Sequence, residues 1–571
     1  RYPLVTGVQT CALPISQTAL TYKITNPASN DKVFDLLFMS RAFRDMKNRE
    51  KSLEYAGKAL KDIKKDILYW SPSVFAFGMP TWERYLEIGK VFEEMGDTEH
   101  ALEAYKSSIE LIETIFNDLK IEGYEKEFME DKIKVYEKII QLLIKKGEDK
   151  KAFEYNERAR ARAFLSMLAG NRVDIHHGAD SGLIKKLDDL EGEIRVSSDE
   201  EKLRELKKEY QEILEKLKLS SPEYASLKTA SPLPFEKTGE LIDEDTAILE
   251  YFSTEDNLIV WVITKDNTVT RTIPLSRKEL KNKIEDYLKE ISGNMTSEKI
   301  KSDGWKVESQ SLYNLLIEDM EKLLKRKSRL VIVPHRYLHY LPFSTLLNSD
   351  GQYLIEKYEI VYLPSLNVLS YCREKNTMKK DYLVAFEYGN LNRHPYSPLP
   401  DSIKEVNAIK KLYPHNEIYR EQGMVKNVLT SGLNHGDIIH FATHGVLDPH
   451  SPVFSKLVMA DEDLELHEIF DLKFSAYLIT LSSCQTGLGE LSEGDELTGF
   501  SRAFIYGGTP TVCVSLWNVS DKATADLMEK FYFYLKEHSK SEALRLAEMD
   551  MIKKYRHPFL WAPFVLIGDW R

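Results

Sequence analysis

The spacing of apolar residues along the chain changes once, near residue 247. Before that point they recur every three to four positions, the period of an amphipathic helix, from about Asp31 to Gly170. The clearest unit is Thr81–Ile112, TWERYLEIGKVFEEMGDTEHALEAYKSSIELI. Its apolar or small positions Tyr85, Ile88, Gly89, Phe92, Ala101 and Tyr105 predict two antiparallel helices joined by a turn at Gly96–Asp97. Gly89 and Ala101 are small where the two helices must approach closely. Fainter copies of the outline lie at Phe34–Leu60 and at Val135–Phe164, where Gly147 and Ala152 repeat the turn.

This pattern has the spacing of a tetratricopeptide repeat. A generic helical bundle is the rival reading, but it does not explain why turn and small residues recur together. Ala101 and Ala152 are 51 residues apart, more than the roughly 34 of a standard repeat. The helices are therefore expected to be extended, or the stretch Tyr69–Pro80 to be an insertion. Ser181–Leu219 places Leu187, Leu190 and Ile194 at helical spacing and breaks at Val196–Asp199, which predicts a helical hairpin with a solvated charged face. Ser231–Thr246 has the composition of a domain boundary.

From Ala247 short apolar runs replace the helical period. AILEYF, LIVWVIT and VTRTIPL predict three consecutive strands with turns at Asp256–Asn257 and Asp266–Asn267. Further runs follow at Leu330–Val333, Glu359–Leu363, Tyr382–Phe386, Asp437–Ala442, Tyr477–Ser483 and Thr511–Trp517, separated by helical stretches. Such alternation predicts a largely parallel sheet flanked by helices. The expected fold class is an α-solenoid of repeats (17–180), a helical linker (181–235) and an α/β domain (240–571).

In sheets of this kind, reactive groups collect just past the carboxyl ends of strands. Two strand ends carry chemistry. One run ends at Thr443-His444-Gly445, the other at Cys484-Gln485-Thr486-Gly487. A thiol beside an imidazole gains thiolate character, and the same imidazole can protonate a leaving amine. The N–H groups of Gly445 and Cys484 are the expected donors to an oxyanion. No third side chain is legible for orienting His444, a task a backbone carbonyl would perform equally well.

The block HFATHG, LITLSSCQTGLGE, LTGFSRAFIYGGTPTVCVSLWNVSD and WAPFVLIGDW, in that order, resembles the caspase-like domain called CHAT, which accompanies tetratricopeptide repeats in many bacterial proteins and is related to caspases and separases. VPHRYLHYLPFSTLL (Val333–Leu347) and LPDSIKEV (Leu399–Val406) match further landmarks, so the resemblance covers about Leu241–Arg571. It implies a caspase-like fold, Cys484 as nucleophile, His444 as base, and Gly445 with Cys484 as the oxyanion hole. The sequence departs from the family at Val333-Pro334-His335-Arg336, where a Pro-Asp-Gly turn is expected. The departure is expected to alter a loop and to leave the pair untouched.

The family's strand after the nucleophile helps build the pocket for the residue preceding the cut. That strand here ends at Trp517 and leads into Asn518 and Asp521, and Asp495 and Glu496 are expected in the loop after Cys484. These acidic groups would suit Arg or Lys, although solvated loop charges would look the same. The resemblance further implies a regulated endopeptidase, latent until a partner rearranges its loops, in bacterial defence or cell-death signalling. The repeats would bind a protein substrate or activator. The alternatives are a non-catalytic interaction scaffold and an acyl or thiol transferase using the same pair.

The remaining chemistry reads as structural. Cys513 sits inside an apolar run and Cys372 has no reactive context, so both are expected to be inert. His440 and His444 form HxxxH, but on a strand and without a third ligand, so His440 is expected to pack in the core and no metal is expected. His339 is expected to be structural, and the His176–His177 pair carries no assignment. No cofactor is implied.

The net charge of -12 argues against direct nucleic-acid binding. Four cysteines are too few for a disulfide framework, which fits a reducing, cytoplasmic compartment. No apolar run reaches the roughly 18 residues of a membrane span. The first residues differ in kind: Val5–Ile15, VTGVQTCALPI, resembles the in-frame translation of a common sequencing-adapter oligonucleotide. Residues 1–16 are set aside on that ground, Cys11 with them, and the natural N-terminus is expected to lie upstream.

Overall fold

The computed structural model describes residues 32–66, 80–118, 132–169, 235–293, 295–376, 379–430, 436–448, 454–485, 495–517 and 521–571, with scattered helical positions between 182 and 216. The adapter-like stretch, the His176–His177 pair and the break at Val196–Asp199 lie outside the described residues. The chain forms two compact units, one ending at Ala159 and the other starting at Arg160.

The first unit holds α1 (Lys32–Asp45), α2 (Arg49–Asp66), α3 (Thr81–Glu94), α4 (Thr98–Asp118), α5 (Ile133–Lys145) and the first part of α6 (Asp149–Ala169). The same turn ends α1, α3 and α5. Lys47, Gly96 and Gly147 adopt left-handed φ values of 57°, 77° and 75°. The next N–H then reaches back to a carbonyl of the ending helix: Asn48 to Phe43 at 2.9 Å, Asp97 to Phe92 at 2.8 Å, Glu148 to Leu143 at 2.9 Å. This satisfies carbonyls that the helix end would otherwise orphan. Lysine at the first of these positions costs about 1–2 kcal/mol relative to glycine, and it hides that turn from a search for glycines. Within the α3–α4 pair, Gly89 faces the Tyr105 ring so closely that a Cβ would overlap it. The long interval between repeats is partly explained by the second helices, of 18, 21 and 21 residues.

The second unit is built on one sheet of thirteen strands among the described residues. They are β1 (Thr246–Ser253), β2 (Leu258–Thr264), β3 (Thr268–Ile273), β4 (Arg329–Val333), β5 (Glu359–Tyr362), β6 (Tyr382–Glu387), β7 (His415–Arg420), β8 (Ile438–Val446), β9 (Lys456–Leu457), β10 (Leu464–Glu465), β11 (Leu478–Gln485), β12 (Thr511–Ser515) and β13 (Phe564–Gly568). The main path runs β10-β9-β8-β11-β12-β13-β5-β4-β1-β2-β3, with β6 beside β8 and β7 beside β6. The centre is parallel (β7, β6, β8, β11, β12, then β13, β5, β4, β1), with antiparallel pairing at β12–β13 and in the β1–β2–β3 and β8–β9–β10 segments. A helical region followed by an α/β domain with a mostly parallel central sheet is the fold class expected from the sequence.

The helices around the sheet include α7 (Arg277–Ile291), α8 (Trp305–Leu316), α9 (Leu366–Lys375), α10 (Pro400–Leu412), α11 (Asp495–Tyr506), α12 (Asp521–Leu535) and α13 (Lys540–Lys554). The packed face carries one polar chain through the core. His440 on β8 meets the Tyr532 hydroxyl through Nδ1 at 3.0 Å and the Glu405 carboxylate through Nε2 at 3.0 Å, and Tyr532 donates to Thr480 at 2.8 Å. His440 is thus a core histidine bridging α10, α12 and β11.

Arg160 seals the carboxyl ends of three strands. Its guanidinium donates to the carbonyls of Tyr251 (2.7 Å), Pro334 (2.7 Å) and Pro364 (3.3 Å), near the ends of β1, β4 and β5. Its Nε lies 3.5 Å from the buried Glu250 carboxylate. Nothing in the sequence pattern sets Arg160 apart from the other arginines of Arg158–Arg162.

Candidate functional site

His444 and Cys484 lie on adjacent parallel strands at the carboxyl edge of the sheet. Pairing of β8 with β11 is regular from Ile438↔Leu478 to Ala442↔Ser482 and resumes at Gly445↔Cys484. Between these points β8 has two residues, Thr443 and His444, facing the single Ser483. This is a β-bulge, and its extra residue re-aims the side chains around it. The two residues named for the oxyanion hole, Gly445 and Cys484, are therefore direct partners in the ladder. Both strands also run further than expected: β8 continues through Val446 because β9 pairs with it at Gly445 and Val446, and β11 continues to Gln485.

His444 is 3% exposed. Its Nε2 lies 2.7 Å from the carbonyl oxygen of Ser397. A carbonyl can only accept, so Nε2 carries the proton, and in the neutral ring the basic lone pair is on Nδ1. Tyr388 meets the imidazole edge-on at 4.9 Å, and Tyr396 stacks on it at 5.6 Å. The backbone holds the strand end as well, since Val458 N–H donates to the His444 carbonyl at 2.9 Å. Tyr388, Tyr396 and Ser397 belong to the segment joining β6 to α10. Sequence reading missed all three, and for Ser397 the reason is that a backbone carbonyl has no residue signature; the only pointer was the LPDSIKEV landmark that begins two residues after Ser397.

The side chains of Cys484, Asp495 and Asp521, and all of Asn518, lie outside the described residues. By backbone, Cys484 is on β11, Asp495 begins α11 and Asp521 begins α12. Trp517 is 3% exposed, and its indole N–H donates to the Phe559 carbonyl at 3.1 Å, so it forms part of the wall where β12 ends.

The thiols of Cys372 and Cys513 are buried and have the environment of inert cysteines. Burial raises the Cys372 thiol to about 12 and pushes Cys513 higher still. His335 and His339 are held well below the ordinary histidine range by burial first and then by arginines, Arg336 for the one and Arg502 for the other. His335 Nδ1 accepts the Ser253 N–H at 3.0 Å. At the departure Val333–Arg336, Arg336 adopts φ 54°. This is the left-handed region, which a glycine enters without strain.

Among the described residues, no group of three or more His, Cys, Asp or Glu could hold a metal ion, and no helix is long and apolar enough to cross a membrane.

The family model for the CHAT domain matches residues 306–569. Tetratricopeptide repeat protein 28 of Mus musculus is 27% identical over 322 residues, and its Homo sapiens counterpart is 26% identical over 323. Each match covers 46% of this chain and only 13% of the relative. The Saccharomyces cerevisiae separase–securin complex aligns at a TM-score of 0.41 and 11% identity, over 98% of this chain and 47% of that one. The bulged strand pair bearing His444 and Cys484 falls inside residues 306–569, the part of the chain that matches the CHAT domain.

Proposed function

We propose that the chain is a regulated cysteine endopeptidase that cleaves a specific protein partner, with the helical repeats binding substrate or activator. The observation that carries this reading is the His444 imidazole, fixed through Nε2 on the Ser397 carbonyl, on a strand registered against that of Cys484. In this reading Nδ1 of His444 takes the Cys484 thiol proton, and the thiolate attacks the scissile carbonyl carbon. The N–H groups of Gly445 and Cys484 bind the oxyanion. As the tetrahedral species collapses, the C–N bond breaks and the imidazolium gives its proton to the leaving amine. Water, deprotonated by His444, then hydrolyses the thioester and releases the acid. The chemistry draws on no metal or cofactor.

Asp495, Trp517, Asn518 and Asp521 would form the pocket for the residue before the cut, and the two carboxylates favour Arg or Lys there. The enzyme would work in the cytoplasm, latent until a protein activator engages the repeats, in bacterial defence or cell-death signalling.

Terminal-peptide mass spectrometry tests the reading. A proteome-derived peptide library is incubated with wild type or with Cys484→Ala, alone and with lysate as a source of activator. New termini in the wild-type samples only, with Arg or Lys before the cut, are the expected result. Identical profiles in every arm contradict the reading.

A further inference from the structure

The segment between β6 and α10 supplies three groups that meet His444, yet little regular structure holds it. Its first residues are tied down, Tyr388 N–H to the Ala442 carbonyl at 3.0 Å, Gly389 N–H to Ser402 at 3.0 Å and Asn390 N–H to Glu421 at 3.2 Å; beyond them the backbone bonds stay within the segment, Leu391 to Tyr388 at 3.0 Å, Tyr396 to Arg393 at 2.8 Å and Leu399 to Gly389 at 2.7 Å. Ser397 and Pro398 are exposed. A segment built in this way could drift from the sheet edge and carry the Ser397 carbonyl away from the imidazole.

The anchor is a carboxylate on the β9–β10 turn. Asp463, with 14% of its side chain exposed, pairs with the Arg393 guanidinium. Arg393 also donates to the Met459 carbonyl at 3.0 Å. The second oxygen of Asp463 lies 2.7 Å from the Lys456 ammonium. Lys456 stands opposite Val446 in the β8–β9 ladder, two residues beyond His444. Asp463 therefore bridges two elements, with Arg393 of the segment on one oxygen and Lys456 of β9 on the other. One arm holds the segment that bears Ser397, and the other holds the strand hairpin beside His444. Without the carboxylate, two partly buried cations would face each other across the same gap, and their repulsion would push the segment outward.

We infer that Asp463 is a positioning residue for His444: by pairing with Arg393 and Lys456 together, it keeps the Ser397 carbonyl on Nε2 and thereby keeps the basic lone pair on Nδ1. The inference rests on the protease reading for its purpose, while its geometry is independent of Cys484.

The test uses the full chain labelled with 15N-histidine, the His444 signal being assigned through His444→Gln. Imidazole 15N shifts report which nitrogen carries the proton. Wild type is expected to show the Nε2–H tautomer. Asp463→Asn and Asp463→Ala are expected to lose that preference and to change the pH midpoint of the His444 signal, while Asp463→Glu restores the wild-type shifts. Asp463→Asn nearly preserves side-chain volume, so it keeps the test decisive if Asp463→Ala fails to fold. Wild-type tautomer and midpoint in a folded Asp463→Asn overturn the inference. The protease reading is judged separately, on the alkylation of Cys484 in wild type. An ordinary thiol there, with the expected histidine shifts, would defeat the protease reading and leave the positioning role intact.

Discussion

His444→Ala is expected to lower kcat/KM on any peptide the wild type cleaves by about 10²–10⁴-fold, with the loss in kcat and KM little changed. The imidazole has two successive duties, accepting the thiol proton and then protonating the leaving amine. Neither duty contributes to ground-state binding, so KM should be spared. His444→Gln should be as impaired as alanine, because an amide can bond the Ser397 carbonyl but cannot exchange the proton. Steady-state kinetics on one fluorogenic peptide, chosen from the observed cut sites, checks both variants. A histidine variant within about threefold of wild type would remove His444 from the reaction.

The second large effect is on stability. Arg160→Ala is expected to destabilise the second unit by about 3–5 kcal/mol, read from the chemical denaturation of that unit's transition. The guanidinium bonds three carbonyls at or just past the ends of β1, β4 and β5 and is the cation 3.5 Å from the Glu250 carboxylate, which is 0% exposed. Truncation removes all of these at once and leaves polar atoms in a dry place, where each lost hydrogen bond costs about 1–3 kcal/mol. Arg160→Lys should recover only part of the loss, because a single ammonium cannot match the planar fork to carbonyls on three strands. A loss below about 1 kcal/mol for Arg160→Ala would mean that the carbonyls find water instead.

Where burial was two-sided, the strands were legible. The apolar runs at Leu330–Val333, Tyr382–Phe386, Asp437–Ala442, Tyr477–Ser483 and Thr511–Trp517 all became central strands, because a strand covered on both faces reads as a continuous hydrophobic run. β7 escaped detection for the opposite reason. Its residues, HNEIYR, are half-buried or exposed, and among the described residues it pairs with β6 alone. The two-residue strands β9 and β10 are too short to leave a periodic signal, yet they carry Lys456 and the turn bearing Asp463.

The candidate pair was legible as residue types at strand ends. Its support was not. The bulge at Thr443–His444 exists only in the register between two strands 40 residues apart (444 to 484). The Ser397 carbonyl could have belonged to any residue. Arg336 and Lys47 hold left-handed turns where a sequence search looks for glycine.

The most direct test of the central claim needs no substrate. The rate of Cys484 alkylation by iodoacetamide is followed from pH 5 to 10 by mass spectrometry of the peptide that contains it, in wild type and in His444→Ala. The account predicts a wild-type midpoint clearly below the ordinary thiol value of about 8.5, rising toward that value when His444 is removed. A wild-type midpoint at or above about 8.5, unmoved by His444→Ala, would contradict it: the imidazole and the thiol would then share a sheet edge without sharing a proton.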